Sequence, residues 1–143
     1  MFTKLMILTG SLILFMSSAA YADLAIIGHP DTDTGELNAQ KVRNLFLGER
    51  DAFPSGIHAM PINHVKGSPD RKEFFSSVLS LSESGYRRLW KRKVSVNEGN
   101  SPEEVSSYSE LLRTVANTPG SIGYINAKNV DGTVKVLFTV GSY

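Results

Sequence analysis

Between residues 57 and 79 the chain passes from an apolar run through a glycine turn straight into a helix start, the order of a central strand-to-helix unit. Ile57 to Ile62 reads as a strand and Lys66-Gly67 as the turn that reverses the chain. Ser68 has the hydroxyl of an N-cap, able to accept from the unpaired amides of a first helical turn. Pro69 follows at the first helical position, where a missing N–H costs nothing and the fixed φ already suits a helix. Phe74, Phe75, Val78 and Leu79 then fall on one face at helical spacing. A glycine and a serine opening a helix directly after a strand aim backbone amides and a positive dipole end at one point, which is a generic oxyanion site. Every strand-to-helix unit needs such a turn, so the signal fits plain architecture as well as binding.

The strand signals before and after this stretch alternate with helix signals. Leu24 to Gly28 is a continuous apolar run, as in a strand covered on both faces of a parallel sheet. Leu37, Val42, Leu45 and Phe46 predict a helix from Leu37 to Gly48, with Gly48 as its stop, and Pro54-Ser55-Gly56 a turn. Ser82 reads as a second N-cap, after which Tyr86, Leu89, Trp90 and Val94 recur on the core side of a helix. Its other side carries Arg87, Arg88, Lys91, Arg92 and Lys93, a solvated face or one that steers an anion or a protein partner.

Ser101 with Glu104 and Ser107 with Glu110 both have the spacing of a capping box. The second stands better before Leu111, Leu112 and Val115, so the helix starts at Ser107 and residues 102–106 are extended or turn. Thr118-Pro119-Gly120 ends it. Ile122 to Ile125 is a short buried strand, Asp131-Gly132 a turn, and Val134 to Val140 a β-branched last strand. The alternation predicts an α/β fold of three layers, a mostly parallel sheet flanked by helices. Ligands of such sheets sit at the carboxyl ends of strands, which places Asn63 to Arg71 at the expected rim.

The first 22 residues read as an export signal rather than as part of this fold. Lys4 supplies the positive start, Leu5 to Met16 the apolar run, and Ala20-Tyr21-Ala22 the small-x-small cleavage form. The expectation is a signal peptide over 1–22, one domain over 23–143 and a periplasmic location. Of 15 basic residues, Lys4 alone lies in the signal, which leaves 14 basic against 14 acidic in the rest. That balance gives no support to nucleic acid as a partner. With no cysteine, thiol chemistry and thiolate metal sites are excluded, and His29, His58 and His64 lack the spacing of a helical metal pair. No metal or other cofactor is expected.

Taken together, several strings resemble the substrate-binding subunit of phosphate ABC importers. They are Leu45-Phe46-Leu47-Gly48, Pro61-Ile62-Asn63, the Gly67-Ser68 helix start, Phe74 through Leu79, Trp90, and Thr118-Pro119-Gly120-Ser121-Ile122-Gly123-Tyr124. The resemblance implies one lobe of a type II periplasmic binding protein, in the short single-lobe form. The family's phosphate loop, Arg-x-x-Gly-Ser-Gly-Thr, corresponds to His64-Val65-Lys66-Gly67-Ser68-Pro69-Asp70. His64 stands where the family has an arginine, Pro69 removes an amide donor, and Asp70 brings a carboxylate that Lys66 and Arg71 could offset. Implied ligand contacts are therefore His64, Lys66, Gly67, Ser68 and Arg71, with phosphate or another small oxyanion as ligand.

A membrane transporter or sensor is the implied protein partner, and a one-sided site leaves room for an oligomer. The other reading is an accessory lobe without a ligand, which meets a protein through the cationic side of its Tyr86 helix. No Ser-His-acid arrangement can be assembled from the residues, so no catalytic residue and no enzyme activity are expected.

Overall fold

The computed structural model describes residues 23–141. The expected signal over 1–22 lies outside the described residues.

Five strands form one sheet in the order β3-β2-β4-β1-β5. They are β1 Leu24–Gly28, β2 Met60–His64, β3 Glu103–Val105, β4 Ser121–Asn126 and β5 Lys135–Val140. β2 pairs parallel with β3 and β4, whereas β1 runs antiparallel to both β4 and β5. Four strands thus share one direction and β1 alone opposes them. The apolar run at Leu24–Gly28 is buried at every position, as expected, but its setting is antiparallel. Complete burial follows from a central strand covered on both faces, and covering is independent of strand direction.

Alternate residues of β1 feed two cores. Leu24 and Ile26 join Phe46, Phe74, Phe75, Leu79, Trp90 and Tyr124 on one face of the sheet. Ala25 and Ile27 join Ile62, Leu111, Leu112, Val115 and Ile125 on the other. Helices α1 Ala39–Phe46, α2 Pro69–Phe74 and α3 Glu83–Ser95 serve the first face, and α4 Tyr108–Asn117 serves the second. This is the predicted three-layer α/β arrangement.

The start signals at Ser68, Ser82 and Ser107 hold, and Asn38 is a further cap beyond those expected from the sequence. Asn38, Ser68, Ser82 and Ser107 each accept a hydrogen bond from the amide three residues on. The helix expected over Leu37–Gly48 is shorter, because Asn38 caps it; Gly48 does follow it, in the left-handed region at φ +70°. Three local readings differ more. The strand expected over Ile57–Ile62 begins at Met60 and runs to His64, because Phe53 N donates to Ile57 O and Ala59 N to Asp51 O, tying the first part to the preceding loop. Phe75–Leu79 continues α2 as a π-helical turn. In α3, Lys93 is buried and Val94 is 47% exposed, the reverse of the expectation. Tyr86, Trp90 and Lys93 lie at positions four and three apart on the core side, whereas Val94, eight residues after Tyr86, has drifted off that stripe at about 3.6 residues per turn.

Candidate functional site

The carboxyl ends of β2 and β4 and the starts of α2 and α4 enclose an open cleft of about 660 Å³. His64, Lys66, Gly67 and Ser68 line it, together with Val65, Asp70, Ser107, Tyr108, Asn126 and Lys128. This is the rim at which the sheet topology reverses, with β2 leading into α2 and β4 lying between strands of opposite direction.

Gly67 makes the turn. Its φ of +95° lies in the left-handed region, where a side chain would be strained, and nothing stands within 4 Å of an added Cβ. The next residue, Ser68, turns its hydroxyl to the Arg71 amide at 3.4 Å, a long contact that leaves the oxygen able to serve a second partner. Lys66 is exposed beside it. Lys66, Gly67 and Ser68 therefore come together on the wall of the cleft.

His64 and Arg71 lie beneath that wall. His64 is the last residue of β2 and only 3% exposed, because the strand extends further than its sequence suggested. Its Nε2 is 2.7 Å from the Tyr124 carbonyl; a carbonyl only accepts, so Nε2 carries the proton. The His64 amide donates to the Tyr124 hydroxyl at 3.3 Å, and that hydroxyl donates to Asn63 Oδ1. Asn63 Nδ2 in turn donates to the Tyr86 hydroxyl at 3.2 Å. Burial pushes the hydroxyl titrations of both Tyr86 and Tyr124 up, so they act as neutral links in this buried chain.

Arg71 is occupied within the protein. Its Nε and Nη2 donate to the two oxygens of Glu83 at 2.8 Å each, a bidentate pair. Its Nη1 donates to His64 O at 2.7 Å and to Glu104 Oε1 at 3.0 Å. Four of the guanidinium's five N–H groups are thus engaged. Burial works against the Arg71 charge, but hydrogen bonds and attraction from Glu83 and Glu104 outweigh it and raise the group's basicity. Sequence reasoning placed Arg71 against an oxyanion; in the fold it holds the end of β2 against α3 and β3.

Asp70 stood as an obstacle to an anion. Its Oδ2 accepts from the Asn126 amide at 3.1 Å, so the carboxylate links the first turn of α2 to the end of β4. Asn126, Lys128, Ser107 and Tyr108 were not foreseen as lining residues. For Ser107 and Tyr108 a signal existed, since a helix start in an α/β sheet belongs at the same rim as the Ser68 start. Lys128 lies in a 3₁₀ turn, Ala127–Asn129, and no pattern in the sequence marks it.

Among the described residues, no group of three His, Asp or Glu side chains is placed to hold a metal. Among them also, no helix is long and apolar enough to cross a membrane.

No protein-family model matches the chain. No curated protein matches it either. The fold is similar to solved structures. One is a Clostridium perfringens protein assigned as a phosphate ABC transporter substrate-binding protein, with phosphate bound; it is 17% identical at a TM-score of 0.66. A second is an ABC-type phosphate transport receptor from Vibrio cholerae, 17% identical at 0.65, and a third is PstS from Borrelia burgdorferi, 17% identical at 0.61. Each match covers 82% of this chain, but only 45%, 46% and 48% of the respective solved chains. The chain spans less than half the length of these structures, and at this identity the likeness is one of fold.

Proposed function

We propose that this protein binds phosphate or another small oxyanion in the cleft at the carboxyl end of β2, as an exported, non-enzymatic solute-binding lobe connected with transport. The observation that carries this reading is the placement of Lys66, Gly67 and Ser68 at that rim, in a fold shared with solved phosphate-binding structures. Lys66 supplies charge, Ser68 a hydroxyl and the Gly67 turn a close backbone approach. His64 and Arg71 contribute from behind, the first by ending β2 at the cleft and the second by holding the His64 carbonyl. Engagement of Asp70 with the Asn126 amide lessens its repulsion of a nearby anion.

Export to the periplasm rests on the pattern of residues 1–22. A cleft open to one side suits weak capture, or completion by a membrane transporter or a further subunit. Calorimetric titration of residues 23–143 with phosphate, sulfate and small carboxylates tests the reading. Binding is expected with Ser68→Ala weaker by about 1.5–3 kcal/mol, the worth of one hydrogen bond to a charged group. Absence of heat up to millimolar ligand would sink it.

An accessory role through α3 is the second reading. Arg87, Arg88, Lys91 and Arg92 are all exposed on that helix, next to exposed Val94 and Val96. Binding to a protein partner that survives charge reversal at Arg88, Lys91 and Arg92 would count against it.

A further inference from the structure

Resting on the oxyanion reading, we propose that the cleft takes an organic anion, a phosphate monoester whose planar aromatic group lies against Tyr108 and Val65. The cleft measures about 660 Å³. That lies in the range of roughly 300–1,000 Å³ typical of sites for drug-sized ligands, of which a single tetrahedral oxyanion fills only a small part.

Its walls differ in chemistry. Lys66 and Lys128 supply two exposed cations, and the one carboxylate lining the cleft, Asp70, is engaged by the Asn126 amide. Beside these cations stand Tyr108, 54% exposed, and Val65, 36% exposed. Tyr108 is the one aromatic among the exposed large hydrophobic side chains of the described residues. It occupies the first position of α4 and belongs to neither core cluster, so packing gives no reason for a ring there. An aromatic side chain lining the same cleft as two cations matches a ligand with a flat apolar part and an anionic end, since rings stack on one another and exclude water from the charges.

Titration calorimetry of residues 23–143 with inorganic phosphate, methyl phosphate and phenyl phosphate tests the proposal. Phenyl phosphate is expected to bind about tenfold tighter than inorganic phosphate, as one ring-on-ring stack provides, with methyl phosphate close to inorganic phosphate. The preference is expected to vanish in Tyr108→Ala and to persist in Tyr108→Phe, with near-UV circular dichroism reporting the fold of each variant. In the unaltered protein, transferred nuclear Overhauser contacts from the phenyl protons to the Tyr108 ring give a second readout that needs no variant. Equal affinity for phenyl and inorganic phosphate, a preference that survives in folded Tyr108→Ala, or absent ring contacts would overturn the proposal while leaving oxyanion binding in place. No heat from any of the three ligands would remove the oxyanion reading and this one with it.

Discussion

Arg71 is 4% exposed and joins three separate parts of the chain, the end of β2 through His64 O, α3 through Glu83 and β3 through Glu104. Its guanidinium also lies over the rings of Phe75 and Tyr86, 4.5 Å and 5.4 Å from their centroids. Removing it leaves a buried carbonyl without its donor and two carboxylates side by side. Arg71→Met is expected to lower stability by about 2–4 kcal/mol in urea unfolding, and Arg71→Lys to recover little of it, since an ammonium cannot span both Glu83 oxygens. A loss within experimental error would refute the structural role.

The Arg71 hydrogen bond holds the Glu83 carboxyl below its ordinary value of 4.5. A carboxyl depressed by folding stabilises fully above its unfolded value and loses that contribution as pH falls through the folded one. Stability should therefore decline on acidification from about pH 4.5 downward, and the decline should be shallower in Glu83→Gln. Urea midpoints measured across that range check the slope; identical slopes would exclude the pair as a cause.

At the level of elements, the signals that survived folding were those whose physics is local. Ser68, Ser82 and Ser107 cap the helices they were expected to start, because the accepting side-chain oxygen and its donor amide lie three residues apart in any tertiary setting. Long-range pairing decided the rest. Glu103–Val105 is a strand because β2 lies beside it, and β2 itself runs on to His64 because Ile62, Asn63 and His64 find partners there. Lys93 is buried because α3 brings it to Gly48 O at 3.5 Å and Glu49 at 3.8 Å. These contacts cross many residues and leave no local periodicity to read.

Gly120 belongs to this second group. It follows Pro119 as a helix stop should, but its φ of +83° and the close His58 carbonyl, 2.8 Å from where a Cβ would stand, belong to the packing of the turn against the loop before β2. Gly120→Ala should cost at least about 2 kcal/mol, from left-handed strain plus this contact. Gly56 is a matched comparison, at φ +93° with nothing within 4 Å, and Gly56→Ala should show the strain alone. Equal losses in thermal unfolding would mean that the His58 contact contributes nothing.

On the scale of the whole molecule, β1 makes two cores into one cooperative body. Its alternate side chains enter both, so neither cluster can open without exposing the other. Trp90, the single tryptophan, reports on the first cluster, and far-ultraviolet dichroism on all the helices including α4. Both signals should follow one transition with the same midpoint. A fluorescence change that precedes the loss of helix would separate the two cores and contradict this reading of β1.

The sequence by itself determined the strand and helix alternation, the caps, the buried central strand and the glycine turn at residue 67. Each of these follows from the conformational limits or polarity of neighbouring residues. The same signals place the rim of the sheet, and hence the stretch containing Lys66, Gly67 and Ser68. Only the tertiary structure decided that β1 opposes its neighbours, that Arg71 faces Glu83 and Glu104 rather than the cleft, that Asp70 meets the Asn126 amide, and that Tyr108 and Lys128 stand beside Lys66. Those outcomes depend on which distant segments the sheet order β3-β2-β4-β1-β5 brings together, and charge and hydrogen bonding act through space rather than along the chain.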